Sequence, residues 1–77
     1  MTDQQQFDFS GSLLDIVNYA LSLDIEGRVS ILDEHGRRGA LLFVDRRLRQ
    51  LWLENMSGED AFKALADCTA IQCSTNV

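Results

Sequence analysis

Arg28-Val29-Ser30-Ile31-Leu32, then Asp33-Glu34-His35-Gly36-Arg37-Arg38, then Gly39-Ala40-Leu41-Leu42-Phe43-Val44 is the stretch that decides the fold. In its first part Val29 and Ile31 fall on one face, and Arg28, Ser30 and Leu32 on the other. That period of two is what a strand imposes on its side chains. The next six residues are polar and contain a glycine, which predicts a hairpin loop. Residues 39–44 then form the returning strand. Asp45-Arg46-Arg47 reads as a second tight turn, and residues 48–54 as the third strand of a meander.

On the N-terminal side, Phe7-Asp8-Phe9-Ser10 alternates apolar and polar residues and predicts a short strand. Gly11 turns the chain into Ser12-Leu13-Leu14-Asp15, a capping box with Asp in place of the usual Glu. Leu13, Ile16, Val17, Ala20 and Leu21 recur at helical spacing and make one apolar stripe that ends near Leu23. On the C-terminal side, Ser57-Gly58-Glu59-Asp60 is a second capping signature. Ala61, Phe62, Leu65 and Cys68 supply the stripe of a second helix, and residues 69–74 a final strand. The predicted order is β-α-β-β-β-α-β: an α+β domain in which two helices cover one face of a small antiparallel meander sheet.

Seventy-seven residues, 45% hydrophobic and 25% charged, suit one small domain. We expect it to span residues 7–77, behind a disordered segment at residues 1–6. The chain is too short for a doubly wound nucleotide-binding fold or a barrel enzyme. Its longest apolar run, residues 40–44, is far below the roughly 20 residues that cross a bilayer. The opening Met1-Thr2-Asp3-Gln4-Gln5-Gln6 lacks the basic and apolar regions of a signal peptide. These features predict a cytoplasmic protein without membrane insertion. The net charge of −5 argues against nucleic acid as a partner. Charge is unevenly spread, since residues 37–49 hold five arginines against Asp45 alone.

No catalytic constellation emerges from the residue types. Cys68 and Cys73 are the only cysteines, and a structural zinc site takes four ligands. His35, the only histidine, adds at most a third, so the expectation is no metal and two reduced, half-buried thiols. His35 beside Asp33 or Glu34 has the makings of a general base, but nothing in sequence assembles around it. Helix-capping Ser12 and Ser57 sit among Asp15, Glu59 and Asp60, which repel an anion. No Gly-rich phosphate loop is present, and no cofactor is expected.

Phe9-Ser10-Gly11-Ser12-Leu13, followed by a short helix and Gly27-Arg28-Val29-Ser30-Ile31, resembles the opening of PATAN domains. That family is named from the N-terminus of a cyanobacterial pattern-formation response regulator. Gly39-Ala40-Leu41-Leu42-Phe43-Val44-Asp45 is similar to its "glycine, apolar, x, Phe, x, acid" strand. Ser57-Gly58-Glu59-Asp60-Ala61 is similar to its "Gly-Glu-x-Ala" helix start. The resemblance runs from about Phe7 to Cys73. It implies a bacterial, cytoplasmic signalling module acting through protein–protein interaction, with no catalytic residues to carry over. The chain departs from the pattern where Arg46 replaces the turn glycine, where Leu51 replaces a small residue, and around Ala70 and Ile71.

A sheet covered by helices on one face should be polar on the other. With Val29, Ile31, Leu41, Phe43, Leu51 and Leu53 pointing inward, Leu32, Leu42, Val44, Leu48 and Trp52 all point outward. A bulge between Leu48 and Leu51 would turn Leu48 inward. Five apolar residues on one sheet face form a candidate partner surface anchored by Trp52. A terminal strand or a helix laid over them would remove it. Arg28, Arg46 and Arg47 gather at one end of the meander. They either pair with Asp24, Glu26 and Asp45 or contact an acidic partner. The expected function is a non-enzymatic interaction module, working as a homodimer or as an adaptor for a signalling protein. A small-molecule-binding sensor is the alternative.

Overall fold

The computed structural model describes residues 7–75; the segment expected to be disordered, residues 1–6, lies outside them. The elements in chain order are β1 (Phe9–Gly11), α1 (Leu13–Ser22), β2 (Gly27–Leu32), β3 (Arg38–Val44), β4 (Arg47–Leu53), β5 (Met56–Ser57), α2 (Gly58–Ala66) and β6 (Ile71–Ser74). The predicted α+β order is observed, with the two-residue β5 added between the meander and α2.

All strands pair antiparallel in one sheet of order β1-β6-β2-β3-β4-β5. The last strand therefore inserts between the first strand and the meander. Its register sets Ile31 opposite Cys73 and Phe9 opposite Cys73 on the other side. β1 begins two residues later than the Phe7-Asp8-Phe9-Ser10 pattern suggests, although the Asp8 N–H still donates to the Cys73 carbonyl at 2.9 Å.

Alternation along the strands builds the core. Val29, Ile31, Leu41, Phe43, Leu53, Ile71 and Cys73 are all buried on one sheet face. Leu13, Ile16 and Ala20 of α1 and Ala61 and Leu65 of α2 pack onto them, together with Cys68 just beyond α2. Full burial of each large aliphatic or aromatic side chain contributes roughly 1.5–3 kcal/mol before entropy is counted. The Phe9 ring stacks on Tyr19 of α1 with centroids 4.3 Å apart, closing the β1 edge.

The two helix starts differ. Ser12 and Asp15 form the reciprocal capping box, with N···O distances of 3.3 and 3.1 Å. Ser57 occupies the N-cap of α2, but its hydroxyl makes no capping bond. Gly58 follows at φ +61°, a conformation that L side chains rarely adopt. The chain thus enters α2 through a backbone kink instead of a side-chain cap.

A bulge corrects the placement of Leu48. Leu42 faces Gln50 across the ladder, whereas Phe43 faces Leu48, so Arg49 is the extra residue. The bulge turns Leu48 to the helix side, where it packs against the core. The β3–β4 turn is equally distinctive. Asp45 and Arg46 both have positive φ, 56° and 63°. A two-residue turn of this hand matches strand twist but favours Asn or Asp followed by Gly.

Candidate functional site

The sheet face opposite the helices carries Leu32, Leu42, Val44 and Trp52, and no helix of the described residues lies over it. β2 and β3 place Arg28 opposite Leu42, and Ser30 opposite Ala40; β3 and β4 place Ala40 opposite Trp52. Leu32, Leu42 and Trp52 are half-buried among their neighbours, and Val44 is 37% exposed. The Arg28 guanidinium carbon lies 5.4 Å from the Trp52 ring centroid, a cation–π contact that fixes both side chains. Four of the five residues expected on this face are there, and Leu48 is not.

The charge asymmetry seen in the sequence becomes a polarity between layers. Among the described residues no strand contains Asp or Glu, while the strands contain Arg28, Arg38, Arg47 and Arg49. The helices carry Asp15, Glu59 and Asp60 against Lys63 alone. Of the arginines expected to act together, Arg46 bonds Asp24 at 2.7 Å across the molecule's end, with both side chains mostly exposed. Its backbone N–H also reaches Glu26 at 3.4 Å. Arg28 is stacked on Trp52, and Arg47 sits opposite Val44 without an ion-pair partner among the described residues. The three guanidinium groups thus divide between intramolecular contacts and an open position.

The β2–β3 loop is the most heavily bonded polar feature. The Asp33 side chain is fully buried. Its Oδ1 accepts the His35 and Arg37 backbone N–H groups at 2.9 and 2.8 Å, and its Oδ2 accepts Arg37 Nε at 2.7 Å. Burial pushes this carboxyl up, but the Arg37 and His35 bonds and the Arg37 charge outweigh it and hold Asp33 below the usual carboxylate range. Glu34 Oε1 accepts the Thr69 and Ala70 N–H groups at 2.8 and 3.0 Å, and those bonds lower its pKa as well. The loop is thereby bolted to the chain leaving α2. Cys68 lies beneath it, its sulfur 3.9 Å from Asp33 Oδ2.

Both cysteines are free and fully buried, more so than the sequence suggested. Burial pushes the Cys68 thiol up, as do the Asp33 and Glu34 charges, and pushes Cys73 up to about 11 with help from Asp8. A neutral, enclosed thiol is a poor nucleophile.

A second surface was not foreseen. Between α1 and α2 an open groove of about 360 Å³ is lined by Ser12, Leu13, Leu14, Val17, Leu48, Phe62 and Ala66. Leu14 is 68% and Phe62 50% exposed, so Phe62 stands outside the core stripe to which its spacing assigned it. Ala61, Leu65 and Cys68 alone form that stripe. Ser12 is the one polar residue in the groove, and its hydroxyl accepts the Asp15 N–H. The available signal was Leu14, an apolar residue off the α1 stripe.

No helix is long and apolar enough to cross a membrane among the described residues. Comparison with known proteins finds no matching family model, no similar curated protein and no similar solved structure.

Proposed function

We propose that this chain is a non-enzymatic protein–protein interaction module that binds an acidic partner surface through its uncovered sheet face. The observation that carries the proposal is the combination on that face: Leu32, Leu42, Val44 and Trp52 lie among arginines, and no strand supplies a carboxylate. An apolar patch that includes Trp52 supplies binding energy, and the guanidinium groups around it select carboxylates and steer encounter. The PATAN resemblance implies a bacterial, cytoplasmic signalling setting for this chain.

The same charge pattern separates the two modes expected from sequence. A two-fold dimer packed face to face would bring two positively charged faces together, which disfavours it. An adaptor carrying one acidic partner meets no such penalty. The sensor alternative fits less well: the α1–α2 groove offers apolar side chains and an already bonded Ser12, with nothing to orient a polar small molecule.

The test is affinity capture from the native cell with wild-type and Trp52→Ala baits, at low and high salt. The proposal expects a discrete partner that Trp52→Ala loses and that salt weakens. A partner retained equally by Trp52→Ala, or held independently of salt, sinks it.

A further inference from the structure

We propose that Glu34, His35 and Cys68 form a zinc-binding site at the junction of the β2–β3 loop and the end of α2. One carboxylate oxygen, one imidazole nitrogen and the Cys68 sulfur lie within 4.8 Å of one another. Zinc–ligand bonds of about 2.0–2.3 Å give tetrahedral edges of roughly 3.3–3.6 Å. Glu34 Oε2 and His35 Nε2 are 3.8 Å apart, close to such an edge, and the bound of 4.8 Å on the set leaves at most about 1.5 Å to close.

The ligand set selects the metal. A sulfur donor excludes magnesium and calcium, which take oxygen, and sulfur with imidazole and carboxylate suits zinc. Three protein ligands leave a fourth position for water. Two of the ligands are already oriented. Glu34 Oε1 is occupied by the Thr69 and Ala70 N–H groups, which leaves Oε2 free, 3.8 Å from His35 Nε2. The backbone at His35 is held by its N–H bond to the buried Asp33 carboxylate. Such second-layer bonds are what metal sites use to aim their ligands.

Asp33 and Glu34 contribute two negative charges and Arg37, bonded to Asp33, one positive charge, so with Cys68 as the neutral thiol the group presents net negative charge to a cation. The Cys68 thiol now donates to the Ala64 carbonyl at 3.4 Å, and on binding its proton leaves for solvent as the Zn–S bond forms. This proposal stands apart from the partner-binding reading, because none of its residues lies on the uncovered sheet face.

The experiment titrates chelator-stripped protein with zinc, and separately with cobalt as a spectroscopic stand-in. The site predicts one equivalent of zinc, a thiolate-to-cobalt charge-transfer band, and a rise in thermal midpoint on zinc addition. Second-layer changes alone weaken metal sites by about 10–100-fold, so His35→Ala should weaken zinc by more. His35 is exposed, so this variant keeps the fold, as circular dichroism will verify. Cys68→Ser should lose the band, and Cys73→Ala should keep it. If Cys68→Ser does not fold, His35→Ala and Glu34→Gln decide. Absence of stoichiometric uptake, a band that survives Cys68→Ser, or unchanged zinc affinity in His35→Ala and Glu34→Gln overturns the proposal.

Discussion

Asp33 is the position where one substitution should reveal most about what holds this domain together. Alanine there deprives the His35 and Arg37 N–H groups and the Arg37 guanidinium of their acceptor at once. Charge-assisted bonds contribute about 1.5–3 kcal/mol each. A straight sum overstates the loss, because the desolvation of a fully buried carboxylate is recovered when it is removed. Breaking a buried pair costs about 3–5 kcal/mol when the surviving partner stays buried. The Arg37 side chain is 34% exposed and regains water, which places the expected cost at about 2–4 kcal/mol. In a domain of this size 1 kcal/mol moves the midpoint by about 4–8 °C, so Tm should fall by roughly 8–30 °C. Asp33→Asn keeps Oδ1 for the two backbone donors but sets its amide NH2 against the Arg37 Nε–H, so the Arg37 hydrogen bond is lost with the charge and a smaller loss than alanine's is expected. Urea and thermal denaturation of both variants in the presence of a chelator measure this. An alanine variant within about 0.5 kcal/mol of wild type, or an asparagine variant as unstable as alanine, would show that the Asp33 bonds do not hold the loop.

Gly39→Ala should destabilise severely, because a Cβ there would sit 2.1 Å from the Trp52 carbonyl oxygen and force β3 from β4; a circular-dichroism melt indistinguishable from wild type would contradict the strand contact. Arg46→Gly should be neutral or stabilising by up to about 1 kcal/mol, since relief of a positive φ outweighs a mostly exposed ion pair to Asp24. A clear loss of stability in urea would show that the turn is not strained. The folded Cys73 thiol ionises near 11 against an ordinary 9.0, so the protonated form is favoured in the fold. Its stabilising contribution is complete below the unfolded value and is lost as pH rises from about 9 toward 11. Cys73→Ala should flatten that alkaline decline in the urea midpoint, and an unchanged slope would count against it.

The alternation of Val29 with Ile31 and of Leu41 with Phe43, and the Ser12–Asp15 box, are local patterns, and each appears in the fold where the sequence placed it. What escaped was non-local. Leu48 changes face because of one extra residue, Arg49; a bulge between Leu48 and Leu51 was an open alternative in the sequence, but the apolar count of a strand does not choose it. Ser57 has the right identity for a cap, but Gly58 in the left-handed region makes its hydroxyl unnecessary. Phe62 has core spacing and still faces out, because the smaller Ala61 meets the sheet in its place. The meeting of Glu34, His35 and Cys68 depends on β6 entering between β1 and β2, which no window of sequence around any of the three records. On the candidate interface, Trp52, Leu32, Leu42 and Val44 were readable from period two. The separation of basic strands from acidic helices required the element boundaries.

In the proposed function the uncovered sheet face, and not the helix layer, meets a partner. Site-specific photocrosslinking in the native cell tests it most directly, with a photoreactive residue at Leu42 on that face and, in a second strain, at Leu14 in the groove. A discrete adduct is expected from position 42, larger than the chain by the mass of a different protein, and Trp52→Ala should abolish it. An adduct from position 14 alone, an adduct with the mass of two copies of this chain, or one indifferent to Trp52→Ala would contradict it.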